Sequence, residues 1–130
     1  MAYYINKTQG IFVNEDDGVK YAEAIVNGFK TVETRNKNML SDVVGLRVAI
    51  IRTKRGKSPT IIGYADVTSA FRLNGKWLDG NRDKTLIPKG SKYDTGEWAK
   101  WCYFLENAEP CEPYPLPASA IRHGRSWCEF

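Results

Sequence analysis

The chain has 130 residues and a mass of 14.7 kDa, the size of one ordinary domain. Hydrophobic residues make up 42% and charged residues 26%, which supplies a core and excludes wholesale disorder, and no run of about eighteen apolar residues exists to cross a membrane as a helix. Nineteen basic against fifteen acidic residues leave a net charge of +4, which permits a phosphate-bearing partner without demanding one.

The start, Met1-Ala2-Tyr3-Tyr4-Ile5-Asn6-Lys7, has no basic segment followed by a long apolar run, so no secretory leader is expected. Residues 3–6 read as a short strand. Asn14-Glu15-Asp16-Asp17 predicts a helix start, with Asn14 as the cap and three acids at the positive end of the helix dipole. Val19, Ala22 and Val26, with Ala24 and Ile25 beside them, form its apolar stripe, and Asn27-Gly28 stops it. Lys30 to Arg35 is predicted as a strand because Thr31, Val32 and Thr34 are β-branched; period-two alternation puts Thr31, Glu33 and Arg35 on one face.

Leu46 to Ile51 is the next expected strand. Thr60 to Phe71 is the clearest, with Ile61, Gly63, Ala65, Val67 and Phe71 assigned to one face and Ile62, Tyr64, Asp66 and Thr68 to the other. The Thr53–Pro59 connection contains Gly56, so these two strands are predicted to form an antiparallel hairpin. Its tip is basic: Arg52, Lys54, Arg55 and Lys57 fall within six positions. Residues 74–97 carry the turn signals Asn74-Gly75, Asp79-Gly80, Pro88-Lys89-Gly90 and Thr95-Gly96, and read as a loop excursion. Trp101 to Leu105 reads as an aromatic strand. Pro110 to Pro117 holds four of the six prolines and is expected to be an extended, irregular connector to a closing strand over Arg125–Phe130.

Several chemistries have no support. Pro88-Lys89-Gly90-Ser91-Lys92 only echoes a phosphate loop. Asp79-Gly80-Asn81-Arg82-Asp83 opens like a calcium loop, but Gly90 stands where the twelfth-position glutamate belongs. One histidine, His123 in an expected exposed turn, supports neither a zinc site nor a Ser/His/Asp triad. Three cysteines without CxxC spacing (Cys102, Cys111 and Cys128) point to reduced thiols and a cytoplasmic protein. The Asn6-Lys7-Thr8 sequon is accidental on that reading. No metal or redox cofactor is implied, and nothing calls for an obligate protein partner.

The segment Gly28-Phe29-Lys30-Thr31-Val32-Glu33-Thr34-Arg35 brings an ammonium, a carboxylate and a guanidinium to one helix–strand junction. Here the chain resembles the ASCH family, a branch of the PUA-like β-barrels, whose hallmark is a helix ending in G-x-K and running into a strand K-x-x-E-x-R. Gly45-Leu46-Arg47-Val48-Ala49-Ile50 is similar to the family's G-x-x-V-x-I strand. Ile61-Ile62-Gly63-Tyr64-Ala65-Asp66-Val67 resembles its I-I-G-x-x-x-V strand, and Trp101 to Asn107 its late aromatic strand ending in L-x-N. Four motifs occur in the expected order over nearly the whole chain.

The elements and the resemblance together predict one α+β, mainly β domain over residues 1–130: a small, mostly antiparallel PUA-like barrel with one or two packed helices and a cleft beside the first helix. The resemblance implies RNA or a nucleotide-like ligand. On the residues alone, Lys30 and Arg35 can hold a phosphate while Glu33 orients the guanidinium or accepts a base N–H. A purely structural Glu33–Arg35 salt bridge is an equal alternative, and a domain that only contacts other proteins is a third. Arg52, Lys54 and Arg55 are candidate backbone contacts, against the ordinary reading of a solvated turn. Within that group Lys54 is favoured, because similar strands of the family end in a lysine facing the cleft.

Tyr64 is a candidate cleft wall. Trp77 and Trp98 are candidate stacking residues, whereas Trp101 and Trp127 read as core. The proline run is read as a connector rather than a recognition motif, and Glu106, Glu109 and Glu112 as a solvated face. The enzymatic alternative is a metal-independent hydrolase of RNA or acetylcytidine, with Lys30 and Glu33 as an acid/base pair. The family's amidohydrolase pattern has a threonine three residues beyond the lysine; this chain has Glu33 there, so the amide-hydrolysing route does not transfer directly.

Overall fold

Alternating apolar residues build most of the molecule as one sheet. The computed structural model describes residues 7–94 and 99–130. The strand expected at 3–6, the turn at Thr95-Gly96, and Trp98 lie outside the described residues. Among the described residues there are seven strands: β1 (Gln9–Asn14), β2 (Val32–Arg35), β3 (Arg47–Thr53), β4 (Thr60–Leu73), β5 (Lys100–Pro115), β6 (Ile121–His123) and β7 (Trp127–Glu129). Their order in the sheet is β2-β5-β4-β3-β1-β7-β6, and β1 beside β3 is the parallel pair in an otherwise antiparallel arrangement. Three short helices, α1 (Tyr21–Val26), α2 (Gly75–Gly80) and α3 (Arg82–Thr85), complete a mainly β, α+β architecture. None of these helices is long or apolar enough to cross a membrane.

Both faces of the central strands are covered. Ile11, Val13, Val48 and Ile50 pack with Ala22, Ile25 and Val26 of α1 in the main core. The intervening Phe12, Ala49 and Ile51 pack on the other face with Ile61 and Cys128. The β3–β4 hairpin forms as the alternation predicts. The face assignment within β4 does not hold along its length. Ile51 pairs with Ile61 and Ile50 with Gly63, so Ile62 is an extra residue in the ladder. A bulge inverts the alternation beyond it: Ile61 faces the second core, Ile62, Ala65 and Val67 face the first, and Phe71 is exposed. Gly63 sits where a Cβ would lie 2.3 Å from the Glu109 carbonyl oxygen and 2.5 Å from Val26, so only glycine lets α1 and β5 close on β4 at this point.

Three further expectations are corrected. The helix begins at Tyr21 rather than after Asn14, because Asn14 ends β1 and its side chain accepts the Asp16 N–H at 2.9 Å, closing a turn. Glu15 is buried and accepts the Ala22 N–H at 3.1 Å, so an acid seven residues upstream serves the helix's first turn. The 74–97 excursion contains α2 and α3; Asn74 caps α2 by accepting the Trp77 N–H at 2.9 Å, and glycine and asparagine mark helix ends as readily as turns. The prolines continue β5 to Pro115 rather than forming an irregular connector. They lie beyond Trp101–Phe104, where β2 pairs, so the strand there has β4 as its neighbour on one side and a missing N–H costs little. The closing strand expected over Arg125–Phe130 forms as β7, which pairs with β1, and β6 adds a short hairpin to it.

Candidate functional site

The end of α1 aims the first functional side chain. Gly28 adopts φ +82°, and the Phe29 and Lys30 N–H groups both return to the Ala24 carbonyl, at 2.9 and 3.1 Å. This reversal turns Lys30 inward, to 2% exposure. Its ammonium donates to the Thr85 carbonyl at the end of α3 and lies 3.6 Å from Glu33 Oε1 and 5.0 Å from the Tyr21 ring centroid. β2 pairs antiparallel with β5, which sets Glu33 opposite Tyr103 and Arg35 opposite Trp101. Arg35 Nη2 donates to Glu33 Oε2 at 2.9 Å and to the Phe12 carbonyl at 2.5 Å. That last bond joins the first strand of the sheet to the fifth, so the sheet curls far enough for one side chain to span it.

Lys30, Glu33 and Arg35 therefore converge, and all three line a cleft of about 460 Å³. Phe12, Tyr21, Tyr93, Met39 and Asn36 form walls beside them, and Lys100, Arg122 and Arg125 add three cations. Tyr103 secures the loop after β2: its hydroxyl donates to Asn38 at 2.8 Å and accepts the Leu40 N–H at 3.2 Å. Tyr21 donates to the Asp17 carboxylate, which also accepts the Ser91 hydroxyl at 2.7 Å and the Val19 N–H at 3.0 Å. The α1 wall and the 88–94 segment are thus tied together.

Electrostatics follow burial and pairing. Burial pushes the Lys30 ammonium down from its ordinary value, and the adjacent Glu33 only partly restores it. Burial alone would raise Glu33; Arg35 and Lys30 beside it override that and hold it below the usual carboxylate range. Burial likewise lowers Lys100, whose ammonium donates to the Tyr93 carbonyl. Burial and then Asp17 push the Tyr21 phenol up, so it remains a donor. Among the described residues, no three carboxylate, thiol or imidazole groups converge to hold a metal ion.

The other candidates lie elsewhere. Arg52, Lys54, Arg55 and Lys57 sit on the β3–β4 hairpin, and none lines the cleft, although Thr53 does. The tip docks on the acidic turn through the Arg55 N–H, which donates to Asp16 at 3.1 Å. Tyr64 is not a cleft wall: it packs against the second core, with its hydroxyl 2.6 Å from that of Tyr114. Trp77 packs edge-on to Phe104, Trp101 lies against the main core, and Trp127 stacks on His123 at 4.0 Å. The sequence reading missed Arg122 and Arg125. Their signal is modest, two arginines flanking a His-Gly turn, and only the hairpin's position over β1 brings them to the cleft.

No protein-family model matches the sequence, and no curated protein sequence matches it. Solved structures do. The ASCH protein of Zymomonas mobilis superposes with a TM-score of 0.65 at 23% identity, over 82% of this chain and 73% of that one. Two point variants of that protein give 0.69 at 20% identity over 91% and 85% of the chains, and 0.66 at 24% over 85% and 77%. The chain has the ASCH fold. Within the ASCH fold of this molecule, the G-x-K-x-x-E-x-R segment supplies the cleft floor, and Gly63 of the I-I-G strand lets α1, the helix that precedes Lys30, pack down on the sheet.

Proposed function

We propose that the cleft binds RNA or a nucleotide-like ligand. One observation carries this reading: the cleft walls present five cations, Lys30, Arg35, Lys100, Arg122 and Arg125, against the single carboxylate Glu33, with aromatic rings between them. A volume of about 460 Å³ lies within the range of about 300–1,000 Å³ typical of small-ligand pockets. An excess of positive charge favours an anion, and Phe12, Tyr21 and Tyr93 offer apolar surface to a base. The basic hairpin tip beside the cleft extends the same field toward a longer strand. The experiment is a fluorescence-polarisation titration of labelled single-stranded RNA across salt concentrations. Affinity falls as salt rises; no binding even at low salt would overturn the proposal.

A second reading rests on the Lys30–Glu33 contact. A buried ammonium lowered from its ordinary value, 3.6 Å from a carboxylate, is a candidate proton donor and acceptor pair for metal-independent hydrolysis. Long incubation with labelled RNA and with acetylcytidine tests it, and intact substrates remove it.

A further inference from the structure

We propose that Arg122 and Arg125, on the C-terminal hairpin, form the phosphate-binding rim of the cleft, so that a nucleotide enters with its phosphate outward and its base toward the Lys30–Glu33–Arg35 floor. This rests on the cleft being a nucleotide or RNA site.

The floor cations are engaged inside the protein. Lys30 donates to the Thr85 carbonyl and faces Glu33 at 3.6 Å. Arg35 is held by Glu33 at 2.9 Å and by the Phe12 carbonyl at 2.5 Å. Lys100 donates to the Tyr93 carbonyl. A phosphate at the floor would compete with these partners and would lie against the Glu33 carboxylate. The rim differs. Arg122 and Arg125 are exposed and line the cleft, and among the described residues neither guanidinium has a hydrogen bond or a carboxylate within ion-pair distance. The Arg122 guanidinium lies 5.0 Å from the Phe12 ring centroid. A cation over an aromatic face keeps its donor edge free for a phosphate's oxygens.

The mounting is firm. β7 pairs with β1 through Ile11 and Trp127, the Phe12 N–H donates to the Ser126 carbonyl at 3.0 Å, and Gly124 takes φ +64° in the turn between the two arginines. Phe12 therefore links rim and floor: its ring carries Arg122, and its carbonyl holds Arg35. The floor, with its cations already hydrogen-bonded inside the protein, offers Glu33 and Asn36 to the hydrogen-bonding edge of an uncharged base.

The test compares the parent protein with Arg122→Gln/Arg125→Gln and with Lys76→Gln/Lys89→Gln, which removes the same charge from exposed lysines that do not line the cleft. The probe is a fluorescein-labelled RNA pentamer of random sequence, titrated by polarisation between about 0.05 and 0.3 M salt. Each phosphate contact contributes about 0.7 to the log–log salt slope of single-strand binding, so the rim variant loses about 1.4 in slope and about 25-fold in affinity near 0.1 M salt. The lysine variant keeps the parent slope. A rim variant with the parent slope overturns the proposal, as does an equal fall in both variants, which would reflect net charge alone. If the parent itself binds no RNA or nucleotide, the cleft reading fails and the rim assignment with it. Competition by mixed nucleoside 5′-monophosphates assigns the rim to a monomer's phosphate; its absence, with pentamer binding still rim-dependent, assigns it to the strand backbone. Circular dichroism of each variant confirms folding.

Discussion

Glu33→Gln isolates the energetics of the cleft floor. The substitution keeps the shape and an oxygen acceptor for Arg35 but removes the charge that faces two cations, Lys30 at 3.6 Å and Arg35 at 2.9 Å. Two unit charges about 4 Å apart interact by about 4 kcal/mol at an effective dielectric near 20. Removing one partner of a buried pair costs about 3–5 kcal/mol, because the remaining charge stays desolvated. Lys30 is buried and keeps the Thr85 carbonyl and the Tyr21 ring but no carboxylate, so a loss of about 3–5 kcal/mol is expected near neutral pH. Urea unfolding followed by tryptophan fluorescence measures it.

The pH dependence provides the sharper check. Glu33 is held below its unfolded value in the parent, so its contribution is present above the unfolded carboxyl pKa and is lost as pH falls through the folded one. On the acid side the parent therefore approaches the variant. Lys30 is lowered in the folded state, so folding gains stability as pH rises between its folded and unfolded values. In Glu33→Gln the supporting carboxylate is gone and that gain begins at lower pH. The gap between the two proteins closes from both sides. A variant as stable as the parent near neutral pH, or a gap constant across pH, would refute the reasoning. Lys30→Met added to Glu33→Gln removes the stranded charge and recovers part of the loss.

Two further outcomes follow from packing. Gly63→Ala places a Cβ 2.3 Å from the Glu109 carbonyl and 2.5 Å from Val26, so α1 and β5 must both retreat; a loss of about 1–3 kcal/mol is expected from overpacking, and a parent-like urea midpoint would contradict it. Among the thiols, Cys102 is fully buried and pushed up to about 11 by burial, Cys128 is buried, and Cys111 is half-buried. A thiol reagent at pH 8 labels Cys111 first and the other two only as the protein opens; three equivalents reacting together would show that this burial does not protect them.

Much of this fold is local in origin and so was legible along the chain. The β3–β4 hairpin follows from two β-branched, apolar runs on either side of a Gly-containing turn. The Lys30–Arg35 segment juxtaposes its three charges because a left-handed glycine reverses the helix end and a strand puts Glu33 and Arg35 on one face. Both depend on neighbours within a few residues. Other features escaped for equally physical reasons. The extra residue at Ile62 reverses the facing of Ala65 and Val67, and nothing in an apolar run marks where it falls. Glu15 serves a helix that starts six residues later, so a pattern that expects caps beside the first turn places that start too early.

The sequence by itself determined the chemistry of the cleft floor, since residues 28–35 carry it within one continuous stretch. The tertiary structure alone decided what surrounds that floor. Curling of the sheet brings Arg35 to Phe12, and pairing of β7 with β1 carries Arg122 and Arg125 to the same hollow from nearly ninety residues away. Such contacts are fixed by which strands pair and how far the sheet twists. Both are settled by burial of the two apolar clusters across the whole chain, and no short window of residues encodes them.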